Sequence, residues 1–76
     1  MDLLASFLTS LLESKVLIAT TSNSTYSGIL VEFDENNILL KDVNERSAAV
    51  SLVSSEMLFR IGSIVSLAPL EHSEEV

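Results

Sequence analysis

Apolar residues near the start of the chain recur at the spacing of an amphipathic helix. Their separations of three and four positions put them on one stripe: Leu3, Leu4, Phe7, Leu8, Leu11 and Leu12. Asp2, just before this stripe, is of a residue type that caps helix N-termini. The pattern predicts a helix of about a dozen residues, too short to be stable alone, whose stripe must be covered by a sheet or a neighbouring subunit.

After the helix the pattern changes to β-branched and alternating residues, which are typical of strands. Five strands are expected, at residues 15–21, 25–33, 38–43, 48–61 and 64–68. The sequence also predicts a loop at residues 44–47 and a bulge or break at residues 53–57. Pro69 lacks a backbone N–H and should end the last strand.

Gly28 lies inside the second strand pattern, where a missing side chain marks a bend, a bulge or the close approach of another backbone. Short antiparallel strands with such bends roll into a small, partly open barrel. The predicted fold is therefore mostly β: an N-terminal helix followed by a strongly bent five-stranded antiparallel sheet. Tyr26 and Phe33 lie within apolar strand patterns, so we expect them in the core or at the mouth of the barrel.

The size and composition of the chain favour self-association. A domain of 76 residues buries only about 60 % of the surface that its unfolded chain exposes. The sequence has no Cys and one His, which excludes disulfides and a structural zinc site. Because 47 % of the residues are hydrophobic, some of them should lie in subunit contacts. We expect no cofactor and no metal.

The charge distribution narrows the choice of partners. The net charge is −7, and the only cationic residues are Lys15, Lys41, Arg46 and Arg60. The field of a monomer would repel phosphate backbones, which argues against non-specific nucleic-acid binding. Apolar runs stop short of the about eighteen residues of a membrane span, and no cationic start precedes an apolar signal core. These features predict a cytoplasmic protein without membrane contact.

The domain organisation is simple. Residues 1–70 are predicted to form one domain, and residues 71–76, EHSEEV, an acidic disordered tail. No catalytic site is predicted, because Cys is absent and the Ser residues have no structured His as a base. His72, Glu74 and Glu75 lie in the tail, where nothing would hold them in a metal or acid–base site.

The most specific motif of the chain lies at residues 28–41. Gly-x-Leu-x-x-Phe-Asp at residues 28–34 is followed by Asn37 and by Ile-Leu-Leu-Lys. With a helix and five strands, this motif resembles the first Sm motif of the Sm-like family of Sm, LSm and bacterial Hfq proteins. Its spacing is similar to that of Hfq, one residue shorter than the usual eukaryotic and archaeal spacing. The resemblance extends over about residues 3–70, and four earlier positions also resemble Hfq: Phe7, Leu8, Leu11 and Val16.

The second Sm motif resembles LFRIGSIVS at residues 58–66. In Sm proteins an Arg-Gly pair separates two apolar strands, and in Hfq a Lys-His pair occupies this corner. Alignment on Gly62 puts Ile61 at the Arg position and Ser63 at the position of the family's Asp or Asn. In the other alignment, Arg60 corresponds to the Hfq Lys and Ile61 replaces the Hfq His.

The resemblance implies an RNA site at the pore of a closed ring of about five to seven subunits. In this family the turns after the second and fourth strands meet at the pore, where each subunit binds one base, usually uracil. An Asn amide can read the uracil edge, and a planar side chain stacks on the base. Asn37 corresponds to the base-reading Asn, and Asn36 to an aromatic stacker of Hfq. The implied RNA-binding residues are Asp34, Asn36, Asn37, Arg60, Gly62 and Ser63.

Several of these residues also have a structural interpretation. Asp34 can brace the turn by accepting hydrogen bonds from its backbone. Asn36 and Asn37 can fill turn positions with positive φ. Arg60 can pair with Asp34 or Glu35 of its own or the next subunit.

The strand edges predict how a ring would close. The fourth and fifth strands should leave unpaired edges, which a head-to-tail neighbour can extend into a continuous sheet. The interface residues expected on these edges are Met57, Leu58, Phe59, Ile61, Ile64, Val65 and Leu67.

Two functions stay open at this point. The first is a ring that binds short single-stranded, uridine-rich RNA at its pore. The second is an oligomeric structural or protein-interaction module of the same fold that does not bind RNA. The second is motivated by the strongly negative charge of such a ring and by a stacking residue that is either missing or shifted. Neither function is enzymatic.

Overall fold

The computed structural model describes residues 2–46 and 51–70. The predicted acidic tail at residues 71–76 lies outside these ranges, as do residues 47–50. Within the described residues, the helix is eight residues long and does not reach the length of a membrane span.

Helix α1 (Leu3–Ser10) begins where the sequence predicts. The backbone N–H of Leu4 donates a hydrogen bond to Asp2 Oδ1 at 3.1 Å, so Asp2 is the N-cap. The helix is shorter than predicted because Leu11 leaves the helical conformation and Glu13 adopts a positive φ of 65°. The turn that results leads into the first strand while Leu11 stays buried in the core.

Five strands follow the helix: β1 (Lys15–Thr20), β2 (Thr25–Phe33), β3 (Asn37–Arg46), β4 (Ser51–Arg60) and β5 (Ile64–Pro69). A 3-10 turn at Ile61–Ser63 connects β4 to β5. The strands form one antiparallel sheet in the order β4-β3-β2-β1-β5. The predicted fold is confirmed, and β4 and β5 are the two edges of the sheet.

The loop predicted at residues 44–47 is wrong for residues 44–46, which continue β3. This segment pairs on both sides. Arg46, for example, lies opposite Thr25 of β2 and opposite Ser51 of β4. Pairing on two sides therefore outweighs the polar, loop-like composition of the segment. The break predicted at residues 53–57 is also wrong, because the β3–β4 register stays constant from the Asn37–Arg60 pair to the Arg46–Ser51 pair.

The irregularities of the sheet lie elsewhere: two are between β2 and β3, and one is between β1 and β5 at Val65. Two β3 residues, Asp42 and Val43, lie opposite the single residue Gly28, and Asp42 has a φ of 52°. A Cβ atom on Gly28 would lie 3.0 Å from the backbone oxygen of Lys41. The close approach expected at Gly28 is therefore confirmed. A second irregularity leaves Val31 unpaired in β2, and together the two bulges bend this part of the sheet.

The core fills the inside of the bent sheet beneath α1. Its buried members are Leu8, Leu11, Val16, Ile18, Leu30, Ile38, Leu40, Val43 and Phe59. Tyr26 and Phe33 pack against this cluster, as the sequence predicts. The Tyr26 ring meets the Phe59 ring edge to face, with centroids 4.8 Å apart. The Tyr26 hydroxyl donates to Glu45 Oε2 at 3.2 Å, and partial burial together with this carboxylate raises the pKa of Tyr26.

Candidate functional site

The two turns singled out by the sequence meet at one end of the sheet. The β2–β3 turn lies at residues 34–36, and the 3-10 turn follows β4. Asn37 and Arg60 are the terminal pair of the β3–β4 ladder. The backbone N–H of Ile61 donates to the backbone oxygen of Asn36 at 2.9 Å. This ladder end and this hydrogen bond fix the two turns side by side.

An open cleft lies between the two turns, called here the turn cleft. Its lining residues are Glu35, Asn36, Arg60, Ile61, Gly62 and Ser63. The structure therefore brings four of the predicted RNA-binding residues together at one surface, and these are Asn36, Arg60, Gly62 and Ser63. The other two, Asp34 and Asn37, lie in or beside the same turn but do not line the cleft.

Asp34 organises the β2–β3 turn. Its Oδ1 atom accepts the backbone N–H groups of Asn36 and Asn37 at 2.8 and 2.7 Å, and the side-chain amide of Asn37 at 3.4 Å. The backbone N–H groups of Asn36 and Asn37 are the main reason that the pKa of Asp34 is lowered. The geometry favours the bracing interpretation, in which Asp34 acts by holding the two Asn residues in place.

The lowered pKa of Asp34 predicts a pH-dependent contribution to stability. A carboxylate whose pKa is depressed in the folded state stabilises the fold above its unfolded pKa, here a usual value of 3.8. This contribution should be lost as the pH falls through the lower folded pKa. We expect the Asp34→Asn variant to be less stable than the wild type at pH 7 and to approach it as the pH falls below 3.8 in urea unfolding.

Glu35→Gln is the matched control for this experiment. Within residues 2–46 and 51–70, Glu35 accepts no hydrogen bond from the turn. Its variant should therefore follow the wild-type pH profile. An Asp34→Asn variant as stable as the wild type at pH 7 would contradict the bracing role.

The two Asn residues differ in their availability. In the described chain, positive φ among non-glycine residues occurs at Glu13, Asn23 and Asp42, so neither Asn36 nor Asn37 is there to supply that conformation. The side chain of Asn37 is half-buried and donates to Asp34. The side chain of Asn36 is exposed and faces the turn cleft. Sequence reasoning assigned base reading to Asn37, whereas the structure makes Asn36 the more accessible amide.

Arg60 supplies the positive charge of the turn cleft. It is exposed, and in the described part of the chain it forms no ion pair with Asp34 or Glu35. The structure does not show the pairing of Arg60 within its own subunit, and pairing with a neighbouring subunit stays a prediction. Glu35 on the opposite turn adds one carboxylate to the same cleft.

The backbone conformation of the subunit does not require a glycine at position 62. Gly62 does not have a positive φ, and a Cβ atom added there would meet nothing within 4 Å. The backbone at this position is thus open to an approaching molecule.

The predicted interface residues fall into three groups. Leu58 and Val65 are 64 % and 66 % exposed, on edge strands β4 and β5. Phe59 is only 7 % exposed and packs on Tyr26, so its side chain belongs to the subunit's own core, and its place at the interface stays a prediction. Alternation along β4 points residue 58 outward and residue 59 inward. The remaining members are half-buried against the core: Met57, Ile61, Ile64 and Leu67. Ile61 also lines the turn cleft, a position that its place at the corner of the second motif could have indicated.

Comparison with known proteins identifies the family. The sequence profile of the LSM domain matches residues 6–69. The chain therefore belongs to the LSM family of Sm-like proteins. A search of curated proteins finds no match.

Three solved structures illustrate the similarity. The chain is similar to a heptameric Sm protein of Pyrobaculum aerophilum, with 23 % identity and a TM-score of 0.83 over 95 % of this chain and 99 % of that one. It is similar to a Pyrococcus abyssi Sm protein in complex with a uridine heptamer, with 17 % identity and a TM-score of 0.79 over 91 % and 99 % of the two chains. It is also similar to a chain in the NatC complex bound to CoA, with 25 % identity and a TM-score of 0.72 over 88 % and 86 %.

Proposed function

We propose that this protein forms a closed ring that binds short single-stranded, uridine-rich RNA at its pore. The observation that carries the proposal is the turn cleft, where Asn36, Arg60 and Gly62 lie together. An amide can donate to and accept from a base edge, a guanidinium can stack on a base or bind phosphate, and a glycine lets a base approach the backbone. We assign binding, with no catalytic step, to this site.

Ring closure follows from the two sheet edges. Edge strands β4 and β5 each present unpaired backbone groups, and each carries an exposed apolar side chain, Leu58 or Val65. Pairing of β5 of one subunit with β4 of the next would cover both edges in a head-to-tail ring. The heptameric Sm protein of Pyrobaculum aerophilum supports this assembly, and about five to seven subunits are expected.

The chemistry of the cleft sets the expected binding behaviour. Among the described residues, no aromatic side chain lines the cleft. A stacking aromatic residue contributes about 1–3 kcal/mol per base. Binding should therefore be weak at one subunit and should gain from several subunits holding one strand. Because Arg60 is opposed by Glu35, few phosphates are neutralised and affinity should depend only shallowly on salt.

Replacing Asn36 or Asn37 with Ala is expected to weaken oligouridine binding while the ring mass stays unchanged. Losing one hydrogen bond to the base weakens binding by about 1 kcal/mol, or roughly fivefold in affinity, per occupied site. Fluorescence anisotropy with labelled oligouridine measures the effect. Asn44→Ala is the matched control, since Asn44 is exposed on the same strand at the opposite end. Wild-type affinity in both turn variants would move the site elsewhere.

A second function is favoured by two observations: an oligomeric structural or protein-interaction module that does not bind RNA. The chain is similar in structure to a component of the NatC complex, and each subunit carries a net charge of −7. The salt dependence of RNA binding distinguishes the two functions. The RNA-binding ring should show a shallow salt slope, whereas the interaction module should give no RNA signal at any salt concentration.

A further inference from the structure

A second cleft lies between α1 and the β2–β3 turn, and it is called here the helix cleft. Its volume is about 250 Å³, and its lining residues are Asp2, Leu4, Ala5, Leu8, Phe33, Asp34 and Glu35. Leu8 is fully buried at its base, while Leu4 is 38 % exposed. The cleft is smaller than the about 300 Å³ at which ligand pockets usually begin, and it suits one large apolar side chain better than a whole ligand.

The apolar surface of the helix cleft continues along α1. Leu3 is 83 % exposed and Phe7, one helical turn later, is 40 % exposed. Residues four apart on a helix are neighbours, so these two side chains form a ridge beside Leu4. The sequence predicts that the apolar stripe of α1 is covered by other residues. The subunit's own core covers only part of this stripe.

The charged side chains on the rim of the helix cleft are all negative. It carries the carboxylates of Asp2, Asp34 and Glu35, and no Lys or Arg lines it among the described residues. Asp2 and Asp34 each use Oδ1 to accept backbone hydrogen bonds, which fixes their positions. An apolar floor with an anionic rim is complementary to a molecule that has an apolar anchor and positive flanks.

We propose that the helix cleft binds a cationic amphipathic segment of a partner protein. One large apolar side chain of that segment would enter over Leu8, and its Lys or Arg side chains would lie against the carboxylates of the rim. Charge argues against the other occupants. A second copy would bring identical carboxylates together, and an RNA strand or an anionic membrane surface would be repelled.

This site extends the function beyond the pore and does not depend on RNA binding. Glu35 lines both the helix cleft and the turn cleft, so the two sites adjoin at the β2–β3 turn. A partner could therefore be held on the face of the ring next to the pore.

The test uses the full chain and a synthetic amphipathic peptide of about three helical turns, with Leu on one face and Lys on the other. NMR titration should shift the signals of α1 and the β2–β3 turn. Leu4→Ser should lower peptide affinity about tenfold, as removal of a buried aliphatic contact does. Leu17→Ser, on β1 outside the cleft, should leave the affinity within about twofold, and Leu17 is 37 % exposed, nearly the same as Leu4.

Charge provides a readout that does not depend on the folding of the Leu4 variant. A peptide with Glu in place of Lys should not bind the wild type. Glu35→Gln should weaken the Lys peptide by about threefold at low salt, while Glu32→Gln, outside the cleft, should not. Equal binding of both peptides, shifts centred on β4 or β5, or a doubling of the ring mass that needs Leu4 would each overturn the proposal. RNA affinity, measured separately, would be unaffected by that failure.

Discussion

Replacing Val65 or Leu58 with Asp is expected to break the ring into smaller species at low micromolar concentration. Both side chains are apolar and more than half exposed in the isolated subunit, and they lie on opposite edges of the sheet. In the ring each would be covered by the neighbouring subunit. A charge placed there would be buried without a partner, at a cost of several kcal/mol per interface.

Closure makes this effect large. One substitution in the chain introduces a carboxylate into every interface of the ring, so the destabilisation is repeated around it. Sedimentation velocity of each variant, at matched concentration, measures the change. The Leu3→Asp variant is the control, because Leu3 is 83 % exposed on α1, away from both edges, and its ring should stay intact. Intact rings of both edge variants would contradict the assignment of β4 and β5 as the interface.

Gly28→Val is expected to destabilise the fold by about 1–3 kcal/mol, as overpacking of a buried position does. Gly28 is buried opposite the bulge in β3, and the first atom of any side chain would meet the Lys41 backbone oxygen at 3.0 Å and the Leu40 side chain at 3.3 Å. The oxygen belongs to the backbone, so it cannot turn away as the end of a flexible side chain could.

The other glycine of the chain is the matched control for Gly28→Val. Gly62→Val places the same side chain in open space and should leave stability nearly unchanged. Urea unfolding at one fixed protein concentration measures both variants, because assembly contributes to apparent stability. Equal stability of the two variants would contradict the close approach at Gly28. A stable Gly62→Val variant that no longer binds oligouridine would in addition support an RNA base next to Gly62.

The order and type of the elements were predictable because local patterns agree with the fold. The helical spacing with Asp2 before it, and the β-branched runs between polar turns, depend on neighbouring residues alone. The sequence pattern does not show which strands pair with each other or in which register. Residues 44–46 look like a loop but are strand, because they pair with both β2 and β4. The bulge opposite Gly28 depends on the register between β2 and β3, which neither strand specifies by itself.

The candidate site was predictable as a pair of turns but not in its detail. The motif resemblance gives the β2–β3 turn and the corner at Gly62, and the structure brings them together through the Ile61–Asn36 hydrogen bond. Which Asn faces the cleft depends on the hydrogen bonds that Asp34 makes to the turn. The core position of Phe59 likewise depends on its contact with Tyr26 from another strand.

Native mass spectrometry tests the central claim most directly. The purified protein is measured at low micromolar concentration, alone and with oligouridine or oligoadenine of matched length. We expect one ring mass that gains a single oligouridine and binds it in preference to oligoadenine, and this mass also gives the number of subunits. A ring that takes up neither RNA would contradict binding at the pore and favour the protein-interaction module.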